Sequence, residues 1–269
     1  MRAATAQQTE ANAAVSARVV GTLPRSPERR TTRVSAEEYL RLAMAAPSPE
    51  EALAHARNGL ANLGPDDSEG AVLLHREIFK AHLVAGRPRS AHAIARKMVR
   101  TGALTEVAHA DLGRSCAALG WWIRAAQAYR LAARFAPARR RALHWGACGS
   151  AFQHARHHDE AIAAFDRALR WSTTTRPLHR AQSVLVRLDR GEKVEDLDGV
   201  VADLELARCG EGYGRYVLGR LIIAGGDRRK GATFLREFLR RNVGDALREA
   251  TLAGEIRAAR RLLQETRRP

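Results

Sequence analysis

His109-Ala110-Asp111-Leu112-Gly113-Arg114-Ser115-Cys116, with Ala125, Tyr129 and Pro137 downstream, returns as Trp145-Gly146-Ala147-Cys148-Gly149-Ser150-Ala151-Phe152, with Ala161, Phe165 and Ala168 downstream. The spacing inside the two phrases is identical up to the alanine, and so is the step from that alanine to the aromatic residue. Ala91, Ala125 and Ala161 stand 34 and 36 residues apart. Self-similarity near 34 residues, with two amphipathic segments per period, marks a helical repeat array. Each helix pair leaves an apolar face that it cannot bury alone, and stacking on the next pair buries it.

Working outward from these phrases, the chain reads as helix, short turn, helix from Ser35 onward. Ser35 followed by Glu38 is a capping-box signature, and Pro49 suits the first turn of a helix. The pattern predicts helices over 35–46 and 49–62, 70–85 and 88–101, 106–119 and 122–135, 142–155 and 158–171, 177–190 and 194–208, and 212–225 and 228–241. A last short pair follows at about 245–253 and 256–267. Gly86, Gly120 and Gly226 each lie five residues before a small residue (Ala91, Ala125, Gly231), and Gly191 turns the fifth pair. A helix end of this kind commonly needs a positive φ, which glycine adopts without a Cβ penalty. Arg156 stands at that place in the fourth unit, so the sequence predicts a different turn there. The fold class expected is all-α: an α-solenoid of about six helix-turn-helix units with a C-terminal capping helix. In that last helix Leu262 and Leu263 would face inward, and Arg257, Arg260, Arg261, Arg267 and Arg268 outward.

Composition agrees with closely packed helices: 45% of the 269 residues are hydrophobic but only 5% are aromatic. Arginine outnumbers lysine 41 to 4 in an Ala- and Gly-rich chain, as expected of a GC-rich bacterial genome. The net charge of +16 is unevenly distributed. Residues 69–105, 106–141 and 212–245 carry +5 each, residues 142–175 sum to zero, and 176–211 to −2. Residues 1–32 are too polar to offset the entropy of ordering and read as a flexible tail, leaving 33–267 for the array. Three cysteines without a C-x-x-C pair imply neither a disulfide framework nor a zinc ribbon. No run is long enough for a signal peptide or a membrane span, so a reduced, cytoplasmic protein is expected.

On these residues the chain resembles the tetratricopeptide-repeat (TPR) family, whose pattern is W-x-x-L-G-x-x-Y, then A-x-x-x-F, then P. The third unit supplies Leu112-Gly113, Ala125, Tyr129 and Pro137. The fourth supplies Trp145, Gly149, Phe152, Ala161 and Phe165, and the sixth Leu218-Gly219, Gly231 and Leu235. The fifth lacks the small-to-aromatic step. The resemblance implies that the first helix of each unit lines a concave groove that binds an extended or helical peptide. In the matched register the groove-facing residues are Arg41, Arg76, Lys80, Arg114, Gln153 and Arg220. Arg76, Lys80 and Arg114 would form one positive patch able to hold a carboxylate or phosphate.

Catalytic and metal chemistry find no support in the sequence. There is no phosphate-loop, nucleophile-elbow or H-E-x-x-H motif, and no carboxylate pair stands out. His154, His157 and His158 fall across a helix–helix turn, where they need not share a face. Cys116 and Cys148 sit where a unit packs on itself and read as small buried hydrophobes. The expectation is a non-enzymatic adaptor or scaffold, without metal or cofactor, binding a protein segment, preferably acidic. The alternatives are a nucleic-acid-binding helical repeat and a regulatory subunit of a signalling or secretion complex. The lack of an aromatic stacking ladder weighs against the former.

Overall fold

The computed structural model describes residues 34–266 apart from Glu211. The expected tail at 1–32 and the arginines Arg267 and Arg268 lie outside the described residues. Fourteen α-helices and one 3₁₀ turn form the described chain, with no strand among the described residues. They pair as α1 (Ala36–Ala45) with α2 (Pro49–Ala61), α3 (Ser68–Val84) with α4 (Pro88–Thr101), and α5 (Thr105–Ala118) with α6 (Trp122–Phe135). Then come α7 (Ala138–His154) with α8 (His158–Trp171), α9 (Arg176–Asp189) with α10 (Leu197–Leu206), and α11 (Tyr213–Ala224) with α12 (Arg228–Asn242). The short α13 (Ala246–Thr251) and α14 (Ala253–Glu265) follow. Through α12 each helix packs chiefly on its sequence neighbours, as in a repeat array. No described helix is long and apolar enough to cross a membrane.

Helix starts follow the sequence signals. The Ser35 and Ser48 hydroxyls accept the Glu38 and Glu51 amides at 3.1 and 3.2 Å, and the Ser48 hydroxyl donates to Glu51 Oε1 at 2.9 Å. The turns inside the units share one hydrogen-bond pattern. The Gly120 amide donates to Ala117 O at 3.0 Å and the Trp121 amide to Cys116 O at 2.8 Å. Gly86, Gly191 and Gly226 repeat this double closure with positive φ. In the fourth unit Arg156 adopts φ 61°, its amide reaches Gln153 O at 3.0 Å, and the His157 amide reaches Phe152 O at 3.0 Å. The turn expected to differ is therefore the same turn with a side chain in a left-handed conformation. Stacking on both sides fixes where the chain must reverse, and the local backbone yields.

The repeated phrase has a steric basis. A Cβ on Gly113 would lie 2.7–2.9 Å from the Tyr129 ring, and one on Gly149 2.7–2.8 Å from the Phe165 ring. The glycine of each first helix is thus the cradle for the aromatic ring of its second helix. Ala125 and Ala161, both fully buried, bring the same two helices together. Cys116 and Cys148 fill the adjoining space, and burial pushes the Cys148 thiol up to about 12, so neither is poised as a thiolate.

Two helices depart from the sequence reading in their bounds. α7 begins four residues earlier than expected, directly after Pro137, with Arg139, Arg140 and Arg141 in its first turns. α10 spans 197–206 instead of 194–208 and is followed by the 3₁₀ turn Arg208–Gly210. Arg180 of α9 holds Asp196 and Asp203 at 3.0 and 2.8 Å, pinning the chain just before α10.

α14 covers the end of the array as expected. Ile256 and Ala259 are buried with Tyr216, Leu221 and Phe238, Leu262 and Leu263 pack at the margin, and Arg257, Arg260 and Arg261 are exposed. Its beginning, together with α13, does something further.

Candidate functional site

The first helices of successive units are joined by charged and polar rungs. Asp111 of α5, 1% exposed, accepts Arg76 Nε of α3 at 3.2 Å and also an Arg114 guanidinium N–H. Glu106 of α5 accepts His144 Nε2 of α7 at 2.6 Å and an Arg140 guanidinium N–H. Asp189 of α9 accepts Gln153 Nε2 of α7 at 2.8 Å and an Arg220 guanidinium N–H of α11 at 2.6 Å. Arg220 also donates to the Tyr216 hydroxyl at 3.4 Å. Burial pushes the Glu106 carboxyl up, but the His144 bond and the Arg140 charge outweigh it and hold it below the ordinary carboxylate value.

The six expected groove residues accordingly fall into four groups. Arg76 and Arg114 converge on Asp111, as a shared patch would require, but around a carboxylate that already balances part of their charge. Lys80 pairs with Glu77 at 2.7 Å on its own helix. Gln153 and Arg220 meet on Asp189. Arg41, largely exposed, pairs with Glu38 at 2.5 Å. Sequence reasoning missed Asp111 and Asp189. The only local signal was the i, i+3 spacing of Asp111 and Arg114; the other partners lie 31–36 residues away.

The same face carries an occupant supplied by the chain itself. After α12 the chain turns at Gly244 (φ 102°), and α13 runs back against α3 and α5. Ala250 packs on the cluster of Val72, Phe79, Val107 and Ala108. Gly254 then meets two stacked rings, Trp122 and His154, whose centroids are 4.4 Å apart. A Cβ at Gly254 would lie 2.8 Å from Trp122 and 3.1 Å from His154. The neighbouring Glu255, 7% exposed, points one carboxylate oxygen at His154 Nε2, 3.4 Å away. Its charge reaches the buried hydroxyls of Tyr129 and Tyr213. Burial is the main reason their pKa values are raised, and the Glu255 carboxylate adds to it. Residues 245–256 carry Asp245, Glu249 and Glu255 against Arg248, so an acidic stretch of a strongly basic chain occupies the first-helix face.

His154 is thereby assigned to an aromatic stack and a carboxylate. His157 bonds Glu160 at 3.1 Å, and no metal-holding cluster occurs among the described residues.

No family model and no curated protein matches the chain. A solved structure described as "Functional Characterization of Pseudomonas Aeruginosa pilF" superimposes with a TM-score of 0.56 at 16% identity. The match covers 81% of this chain and 97% of that one. At this identity the likeness speaks for the fold: the chain has the architecture of a TPR-type helical-repeat protein.

Proposed function

We propose that the protein is a non-enzymatic, TPR-family interaction scaffold that holds an acidic protein segment on its first-helix face. The observation that carries this reading is the chain's own acidic stretch at 245–256, seated where the resemblance expects a partner peptide. A small residue over Trp122 and His154, followed by a carboxylate, is the chemistry that seat accepts. Partner binding is then an exchange: the external segment takes the place of α13, while α14 stays anchored through Ile256 and Ala259. Arg41, Arg76, Lys80, Arg114, Gln153 and Arg220 border this surface and steer an acidic segment toward it.

The ion pairs decide which of them can serve as probes. Removing Arg114 leaves the buried Asp111 carboxylate short of a partner, a change of the kind that destabilises by about 3–5 kcal/mol. Arg41 and Lys80, paired only on their own helices, report on binding with little effect on folding. The test is calorimetry of a synthetic peptide of residues 245–256 against the full chain and its Gly254→Leu variant, which disfavours the resident segment. Tighter binding by the variant, lowered again by Arg41→Ser with Lys80→Ser, is expected. Absence of binding to a Gly254→Leu protein whose seat has opened overturns the reading.

A further inference from the structure

A second surface is built by the second helices of the third and fourth units and the start of the first helix between them. α6, the first half of α7 and the end of α8 bound an open cleft of about 520 Å³. Arg130, Leu131, Arg134, Arg141, Trp145 and Trp171 line it, and none of them belongs to the seat of α13. Its chemistry differs from that of the first-helix face. There Arg76, Arg114, Arg140 and Arg220 each meet a carboxylate. Here two guanidiniums lie over the lining indoles: Arg141 sits 4.4 Å from the Trp171 centroid, and Arg167, beside the cleft, 4.8 Å from that of Trp145. Arg141 Nε also donates to the Ala136 carbonyl at 3.0 Å. Among the described residues no carboxylate lies within ion-pair distance of Arg130, Arg134, Arg141 or Arg167. The apolar part is also unusually open, with Leu131, Trp171 and the adjacent Phe135 exposed at 37%, 41% and 51%.

Guanidiniums resting on aromatic faces are weakly hydrated and pre-oriented, so pairing with an incoming anion costs them little. Tryptophan and arginine around an apolar centre are also the side chains that dominate protein–protein hot spots. We propose that this cleft docks a protein segment carrying one large apolar side chain flanked by carboxylates. The apolar side chain enters against Leu131 and the two indoles, and the carboxylates pair with Arg130, Arg134 and Arg167. Four guanidiniums without a carboxylate of their own supply the charge complementarity. The aliphatic wall selects protein over single-stranded nucleic acid, because a base gains stacking energy from aromatic and guanidinium planes but not from Leu131 or Ala133. The cleft shares no residue with the seat of α13, so it is open whether or not that segment is displaced.

The test is fluorescence anisotropy of the full chain with a labelled peptide of about twelve residues, rich in Asp and Glu with a single central Leu. Trp171→Ala and Arg134→Glu are each expected to weaken binding about tenfold, as is exchange of the central Leu for Ser. Arg236→Glu, an equal charge change on α12, is expected to stay within about twofold of the native chain. Arg134→Glu alters only an exposed charge, so it decides the matter even if Trp171→Ala melts early. The proposal is overturned if the native chain does not bind the peptide. It is equally overturned if Arg236→Glu weakens binding as much as Arg134→Glu, or if the Leu-to-Ser exchange has no effect. Tighter binding of an oligothymidylate of equal length would assign the cleft to nucleic acid instead.

Discussion

Gly254→Leu should open the first-helix face without unfolding the array. The added Cβ alone would stand 2.8 Å from Trp122 and 3.1 Å from His154. The two rings are stacked on each other, so neither retreats without losing the other. Overpacking of this kind costs about 1–3 kcal/mol. Little holds the segment against that cost. α13 has no fully buried residue, Ala250 contributes one partly buried methyl group worth about 0.8 kcal/mol, Leu252 packs only partly buried on the Tyr216–Phe238 cluster, and Glu255 faces His154 at 3.4 Å. At about 1.4 kcal/mol per factor of ten, the clash shifts the docked-to-undocked ratio by roughly 5–150-fold. Hydrogen exchange read by mass spectrometry reports this directly. Amides of residues 245–253 should lose protection in the variant, whereas those of α5, α7 and α11 keep theirs. Gly64→Leu is the matched control, since nothing lies within 4 Å of a Cβ there. Unchanged protection at 245–253 together with a lowered Tm would mean that the rings move and the segment stays. The exchange argument would then fail.

Arg156→Gly should raise stability by about 1 kcal/mol, because it relieves a side chain held at φ 61° in a turn that glycine makes elsewhere; a denaturant melt with unchanged or lower stability would contradict this. Ala125→Leu and Ala161→Leu should each cost about 1–3 kcal/mol by overpacking a fully buried helix crossing, while Ala138→Leu at the exposed first residue of α7 should cost far less; three equal thermal melts would refute the register. Burial lowers the pKa of His179, and also of His75, His82, His92 and His109, so the fold favours their neutral forms. The stability this brings is present above the unfolded value of 6.5 and is lost as pH falls below it, so Tm should drop between about pH 7.5 and 5.5 and drop less in His179→Gln.

Period, helix pairing and turn positions were legible in the sequence because they rest on local chemistry. A glycine that must take a positive φ, a serine that caps, and a small residue opposite an aromatic ring each leave a mark within one unit. Gly113 with Tyr129 and Gly149 with Phe165 are such marks, and the structure shows the contact behind each. The fifth unit kept its turn glycine Gly191 but not the small-to-aromatic step, and its second helix was accordingly read too long. What the sequence withheld are relations between groups many residues apart. That Asp111 serves both Arg76 and Arg114, and Asp189 both Gln153 and Arg220, follows from stacking successive first helices, which no local pattern encodes. Ala250, Gly254 and Glu255 look like an ordinary helix end until the chain reverses at Gly244 and lays them on helices that begin well over a hundred residues earlier. The arginines around Trp145 and Trp171 come from three helices, so only tertiary packing gathers them at one cleft, two of them over the indoles, and away from every carboxylate of the described chain. Local rules set where each helix starts and stops. Long-range packing alone decided which surfaces are already filled and which remain open to a partner.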